Sequence, residues 1–113
     1  MQQRFAQQMK KGALDMLVLK LLEREEKYGY QLISELRERS GGAVSLKEGT
    51  LYPLLYRLED GGLVTSRTAA KTAKEPARKY YAITEQGRTA LGEMFEVWSE
   101  FNGCVESIME EER

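Results

Sequence analysis

Thr50, Tyr52, Pro53, Tyr56 and Arg57 alternate with leucines at 51, 54, 55 and 58, so one short segment carries hydroxyl, aromatic and guanidinium groups beside an apolar stripe. The leucines recur at i, i+3, i+4 and i+7, which is the buried side of an amphipathic helix. The other face lacks the Lys and Glu that fill a solvated helix surface. Large rings gain nothing in water, so two tyrosines and a proline there predict a surface that a partner covers. The chemistry on offer is contact rather than bond breaking.

Bond-breaking chemistry has no comparable set of residues. The chain contains no histidine, which removes Ser-His and Cys-His nucleophile pairs, His metal ligands and the commonest general base together. It also has no glycine-rich phosphate loop, no paired cysteine spacing and no carboxylate motif of known mechanics. The expectation is a protein that is not an enzyme and calls for no cofactor. A lone Cys104 cannot form an internal disulfide and, with no apolar run near the roughly 20 residues of a membrane span, points to a soluble cytoplasmic protein. The polar stretch at residues 1–11 does not resemble a signal peptide.

A second group with chemical potential is basic: Arg67, Lys71, Lys74, Arg78 and Lys79, opposed locally by Glu75 alone. The formal net charge of −1 hides a strong asymmetry. Residues 1–88 hold 16 of the 17 Lys and Arg against 11 Asp and Glu, net +5, whereas residues 89–113 hold Arg113 against seven Glu, net −6. Screening confines an exposed charge to about 10 Å, so phosphates respond to the basic body and not to the chain total.

These groups need elements to position them, and 113 residues suffice for one core with an extension for assembly. Helical periodicity predicts a first helix over about 9–25, with Leu14, Leu17, Val18, Leu21 and Leu22 inward, and a shorter second one ending near Arg39, before Gly41 and Gly42. Ser45 with Glu48, or else Thr50, caps a third helix that Gly61 and Gly62 stop. Pro53 favours a start near Thr50, or else a strained first turn, because proline well inside a helix costs about 3 kcal/mol. The period then changes: 63–68 and 79–84 are short β-branched and aromatic runs joined by a segment without core-sized residues, which predicts a hairpin with a long basic tip. Tyr80 and Tyr81 face opposite ways along a strand, so at least one belongs to the core, and aromatic bodies such as Tyr28 and Tyr30 pack under a domain more often than they contact phosphate.

Thr84 caps a last long helix beginning at Glu85. Leu91, Met94, Trp98, Phe101, Val105 and Ile108 follow at spacings of 3 and 4, a heptad seam, with Glu93, Glu96, Glu100, Glu106 and Glu110 outward. Two and a half heptads are short for a free-standing coiled coil, so the seam calls for support from the first helix. Asn102 borders the seam as a candidate for fixing register, and Cys104, among glutamates that disfavour its thiolate, is expected to pack.

Three helices followed by a basic hairpin is the order of a winged helix-turn-helix, in which the third helix enters the major groove and the hairpin touches neighbouring phosphates. The expected fold is mainly α with a small β-hairpin: a DNA-binding unit over 1–84, aided in dimerisation by the N-terminal helix, and a dimerisation helix over 85–113.

Several segments resemble the PadR family of transcriptional regulators. They are Lys-Lys-Gly-Ala-Leu at 10–14, Tyr-Gly-Tyr at 28–30, Glu-Gly-Thr-Leu-Tyr-Pro-Leu-Leu at 48–55, Arg-Leu-Glu at 57–59, Gly-Leu-Val at 62–64 and Arg-Lys-Tyr-Tyr-Ala-Ile-Thr-Glu-Gln-Gly-Arg at 78–88. They stand in the family's order over roughly 10–90, and the length resembles the short subgroup with one C-terminal dimerisation helix. The resemblance implies a prokaryotic homodimer that binds a pseudo-palindromic double-stranded operator and represses, often until an aromatic or drug-like ligand loosens it. It makes Lys47, Thr50, Tyr52, Pro53, Tyr56 and Arg57 recognition-helix candidates and Arg67, Lys71, Lys74, Arg78 and Lys79 wing candidates. It further implies an effector site between subunits around Trp98, with Phe95, Phe101, Met94, Phe5 and Met9 as neighbours, although a plain dimer core explains an aromatic seam as well. The alternative to a DNA-binding regulator is a winged-helix module that binds proteins without DNA specificity.

Overall fold

Leucines at helical spacing draw three short helices around one apolar centre, and a small sheet closes it. The computed structural model describes residues 8–110. In chain order the elements are α1 Leu14–Leu21, β1 Lys27–Tyr28, α2 Gly29–Arg39, α3 Glu48–Asp60, β2 Val64–Ala69, β3 Arg78–Ile83 and α4 Glu85–Met109. Val18 and Leu19 of α1, Leu32 of α2, Leu51 and Leu55 of α3 and Tyr81 of β3 are fully buried together. At about 1.5–3 kcal/mol for each fully buried large apolar side chain, this cluster is the main force holding the helices in place.

Three boundaries differ from the periodicity. The predicted first helix is interrupted: residues 8–11 are helical, a turn follows at Gly12 and Ala13, and α1 ends at Leu21. The third helix starts at Glu48 with Lys47 as its cap residue, and no side chain caps it. The Lys47 carbonyl instead accepts the backbone N–H groups of Thr50 and Leu51, both at 3.0 Å. Neither Ser45 nor Thr50 is the cap, and Pro53 lies inside α3. Its missing N–H leaves the Gly49 carbonyl without a helical donor, but Gly49 is exposed and water can serve it. Packing of four leucines outweighs the remaining cost.

The third difference lies in the sheet. β2 and β3 pair antiparallel as the hairpin requires, with Val64 opposite Ile83 and Ala69 opposite Arg78. A third strand, β1, pairs with the other edge of β3, Lys27 opposite Tyr81 and Tyr28 opposite Tyr80, giving the order β1-β3-β2. The hairpin is therefore tied to the segment that leads directly into α2. Tyr80 and Tyr81 are both buried, one on each face of the central strand.

α4 is fixed to this body at its first turn. The Thr84 hydroxyl accepts the Gly87 N–H at 2.9 Å and donates to the Gly62 carbonyl at 2.7 Å, while the Thr84 N–H donates to the Leu63 carbonyl at 3.0 Å. Gly62, at φ 77°, adopts the left-handed turn that glycine tolerates and brings that carbonyl into reach. Leu91 is buried in the same core, and Met94 packs against it. Beyond Met94 the helix leaves the body, which accounts for the 65 Å length of a molecule 32 by 21 Å across. None of the described helices is long and apolar enough to cross a membrane.

Candidate nucleic-acid interface

Burial of Leu51, Leu54, Leu55 and Leu58 forces the opposite side of α3 outward, so Thr50, Pro53, Tyr56 and Arg57 are all exposed, as is Lys47 before the helix. Tyr52 lies between the two sides. Its ring crosses to the start of α2, where a Cβ on Gly29 would collide with the Tyr52 hydroxyl. Burial, followed by the charges of Glu48 and Tyr56, pushes the Tyr52 pKa up. Tyr52 therefore locks α3 against α2, and Tyr56, half exposed at 50%, presents its ring to the outside.

Ser66 of β2 donates its hydroxyl to Glu59 of α3 at 2.7 Å, and Lys79 of β3 reaches the exposed side of the same helix. Lys79 holds its ammonium 5.4 Å from the Tyr56 ring centre and 5.6 Å from that of Tyr81, a cation–π arrangement joining β3 to the outer face of α3. Lys74 is exposed at the tip. Arg57 and the remaining wing cations have partners inside the molecule. Arg57 pairs with Asp15 of α1 at 3.1 Å, Arg67 with Glu26 at 2.6 Å, and Lys71 with Glu26 at 3.8 Å. Lys71 also sits 4.6 Å over Tyr80, and Arg78 sits 4.5 Å over Tyr28 and 3.9 Å from Glu75. Asp15 and Glu26 escaped the sequence reading because 42 and 41 residues separate them from their arginines.

Of the other tyrosines, Tyr28 is half-buried and meets Tyr80 edge to face, whereas Tyr30 stands 63% exposed on the first turn of α2 and does not pack underneath. Tyr81 carries a pH signature. Its hydroxyl is enclosed without a hydrogen-bond partner among the described residues. Burial, reinforced by Tyr56, Glu59 and Tyr52, raises its pKa from 10.0 to about 12. A pKa higher in the folded than in the unfolded chain gives stability that is complete below pH 10 and lost as pH rises towards 12. Tyr81→Phe should remove this alkaline loss, at most about 3 kcal/mol. At neutral pH it should be neutral or stabilising by about 1 kcal/mol, because no bond is broken. Urea titrations of both proteins across the alkaline range check this; parallel stability curves would refute it.

The projecting half of α4 forms a second surface. Trp98 is 43% exposed, Phe101 67% and Ile108 80%, with Phe95 and Val105 exposed beside them. The Phe95 and Trp98 rings are nearly parallel, 8° apart in plane with centres at 6.3 Å. Leu91, by contrast, faces the chain's own core, and Met94 is shared between core and surface. Met9 is exposed, Phe5 lies outside the described residues, Asn102 is half-buried and Cys104 is exposed. A contiguous apolar strip of this kind, on a stretch of helix with no neighbour among the described residues, marks an interaction surface.

Comparison with known proteins decides the family. The model of the transcriptional regulator PadR-like family matches residues 18–93, from α1 through the sheet into α4. This chain belongs to the PadR family. A PadR family regulator from Eggerthella lenta superposes with a TM-score of 0.85 at 34% identity, over 97% of this chain and 93% of that one. The Bacillus subtilis negative transcriptional regulator PadR is 35% identical over 74 residues, covering 66% of this chain and 40% of its own length. The solved structure of B. subtilis PadR in complex with operator DNA matches with a TM-score of 0.64 at 33% identity, over 73% of this chain and 46% of that chain. The chain thus spans less than half of that PadR protein. The neighbours share the winged helix with a long C-terminal helix, and membership places the chain among transcriptional regulators rather than enzymes.

Proposed function

We propose that this PadR-family regulator acts in the cytoplasm as a homodimer on a pseudo-palindromic DNA operator and represses the adjoining genes. Residues 1–84 serve as the DNA-binding unit and 85–113 as the dimerisation helix. One observation carries the reading: the Lys79–Tyr56 contact joins the exposed side of α3 and the basic hairpin into a single surface. A helix face that fits a major groove and a cation beside it that meets a flanking phosphate form the winged-helix arrangement. The operator complex of B. subtilis PadR supports the same partner. Thr50, Pro53, Tyr56 and Lys47 are the contacts nearest the groove in this reading, with Tyr52 as the strut behind them. Planar aromatic compounds are the ligand class suited to the parallel Phe95 and Trp98 rings, and their entry between two α4 helices releases the DNA.

Genomic fragments enriched on the purified protein supply the operator, and fluorescence anisotropy measures its affinity. A dimer neutralising about 6 phosphates gives a slope near −5 in log K against log salt. Operator DNA should bind at least about a thousandfold more tightly than random duplex at physiological salt. Failure to bind DNA, with capture of a protein through the tyrosine face instead, would favour a winged-helix protein-interaction module.

A further inference from the structure

The pairing of β1, β3 and β2 lines up Tyr28, Tyr80 and Arg67 on the sheet face turned away from α3. Glu26, the residue before β1, reaches across this face. Both its oxygens accept from Arg67 Nε at 2.9 Å, and one also accepts from Arg67 Nη2 at 2.6 Å. The same carboxylate lies 3.8 Å from the Lys71 ammonium. The Glu26 side chain is largely covered, at 19% exposure, whereas Arg67 and Lys71 remain open to approach from outside at 59% and 46%. Arg67 holds the carboxyl below the ordinary carboxylate range. A single acidic group from outside the hairpin therefore neutralises one edge of a guanidinium and part of an ammonium in a wing whose own carboxylate, Glu75, lies beside Arg78.

Phosphate and carboxylate compete for the same planar donors, and a bidentate carboxylate is a strong competitor. We propose that Glu26 withholds Arg67 from DNA phosphates, so that the wing engages DNA through Lys79 and Lys74 and sequence-independent binding is kept low. Glu26 is a specificity-setting residue that touches no DNA. It limits the charge available to any duplex, and because non-specific affinity depends on that charge most directly, the operator gains in relative terms. The inference rests on the DNA-binding reading above.

The test is Glu26→Gln, which keeps the shape and removes the charge, in the full chain. Anisotropy is read on random duplex and on the selected operator fragment between about 50 and 200 mM salt. Freeing one phosphate contact per protomer should make the dimer's slope more negative by about 2 and raise random-duplex affinity at least tenfold at the low-salt end. The ratio of operator to random affinity should fall. Arg67→Gln alone should leave the slope unchanged, and adding it to Glu26→Gln should restore the wild-type slope. An unchanged slope in Glu26→Gln, or weaker binding to both duplexes, would overturn the proposal by making Glu26 a brace that aims Arg67 at phosphate. If Glu26→Gln does not fold, Arg67→Gln decides: an unchanged slope supports the withheld arginine, and a slope shallower by about 2 refutes it. Wild-type protein that binds no DNA overturns the DNA-binding reading and this one together, whereas wild-type binding with an unresponsive Glu26→Gln overturns this one alone.

Discussion

Trp98→Asp combined with Phe101→Asp should leave a folded monomer whose operator affinity is lower by roughly 10² to 10⁴-fold, the gain that linking two binding units confers. Both side chains are exposed in the isolated chain, and neither belongs to its core, so the changes remove no packing within it. In a dimer they lie at the centre of the strip that also holds Val105 and Ile108. Burying two new carboxylates per protomer there costs far more than the apolar contact can return. Multi-angle light scattering reads the mass, a thermal melt reads the fold, and anisotropy reads the operator. A double variant that remains dimeric would show that α4 does not join the subunits.

Gly87→Ala should destabilise the protein by about 3 kcal/mol, although alanine is the better helix former by about 1 kcal/mol. A Cβ at this position would collide with the Leu63 carbonyl oxygen and come within 2.7 Å of Ile83 Cγ1. The obstacle is backbone, and it is the same turn that the Thr84 hydroxyl and N–H hold. Relief requires α4 to rise off the sheet, which disturbs the capping bond at Gly87 as well. The same substitution at Gly92 or Gly103, where nothing lies within 4 Å, should stabilise by about 0.5–1 kcal/mol. Opposite signs within one helix, read by urea denaturation, separate close packing from helix propensity. Gly87→Ala as stable as wild type would mean that α4 is not seated as described.

Much of this architecture was legible because the period of the leucines is a direct record of burial. Leu51, Leu54, Leu55 and Leu58 pack inward as their spacing required, and Thr84 caps α4. What escaped was decided by contacts between distant segments. Lys27 and Tyr28 are too few to show an alternation, so β1 became a strand only through its pairing with β3. The start of α3 was misplaced because Pro53 argued locally for a late beginning, whereas four buried leucines supply more free energy than the proline removes. Tyr52 and Tyr56 looked equivalent, on one face at spacing four, until the collision course with Gly29 turned the first into a strut and left the second free. Arg57 and Arg67 counted as open cations because no sequence pattern announces a carboxylate about forty positions away. The family signatures at 48–55 and 78–88 marked the right elements without saying which of their side chains remain available.

The rigid seating of α4 also has a geometric meaning. A helix of 25 residues is about 37 Å long, and its first turn is bonded and close-packed to the turn after α3. This seating couples α3 to the projecting end of α4. If two copies join along that end, as proposed above, each protomer would turn as one lever about the contact between the two α4 helices. A turn of about 5° acting over about 30 Å carries α3 through nearly 3 Å, close to the 3.4 Å step between base pairs. On the proposed function, the separation of the two α3 helices is then set where the α4 helices meet, away from the DNA. On the same proposal, a flat molecule held between the two tails would change that separation without touching a single residue of α3.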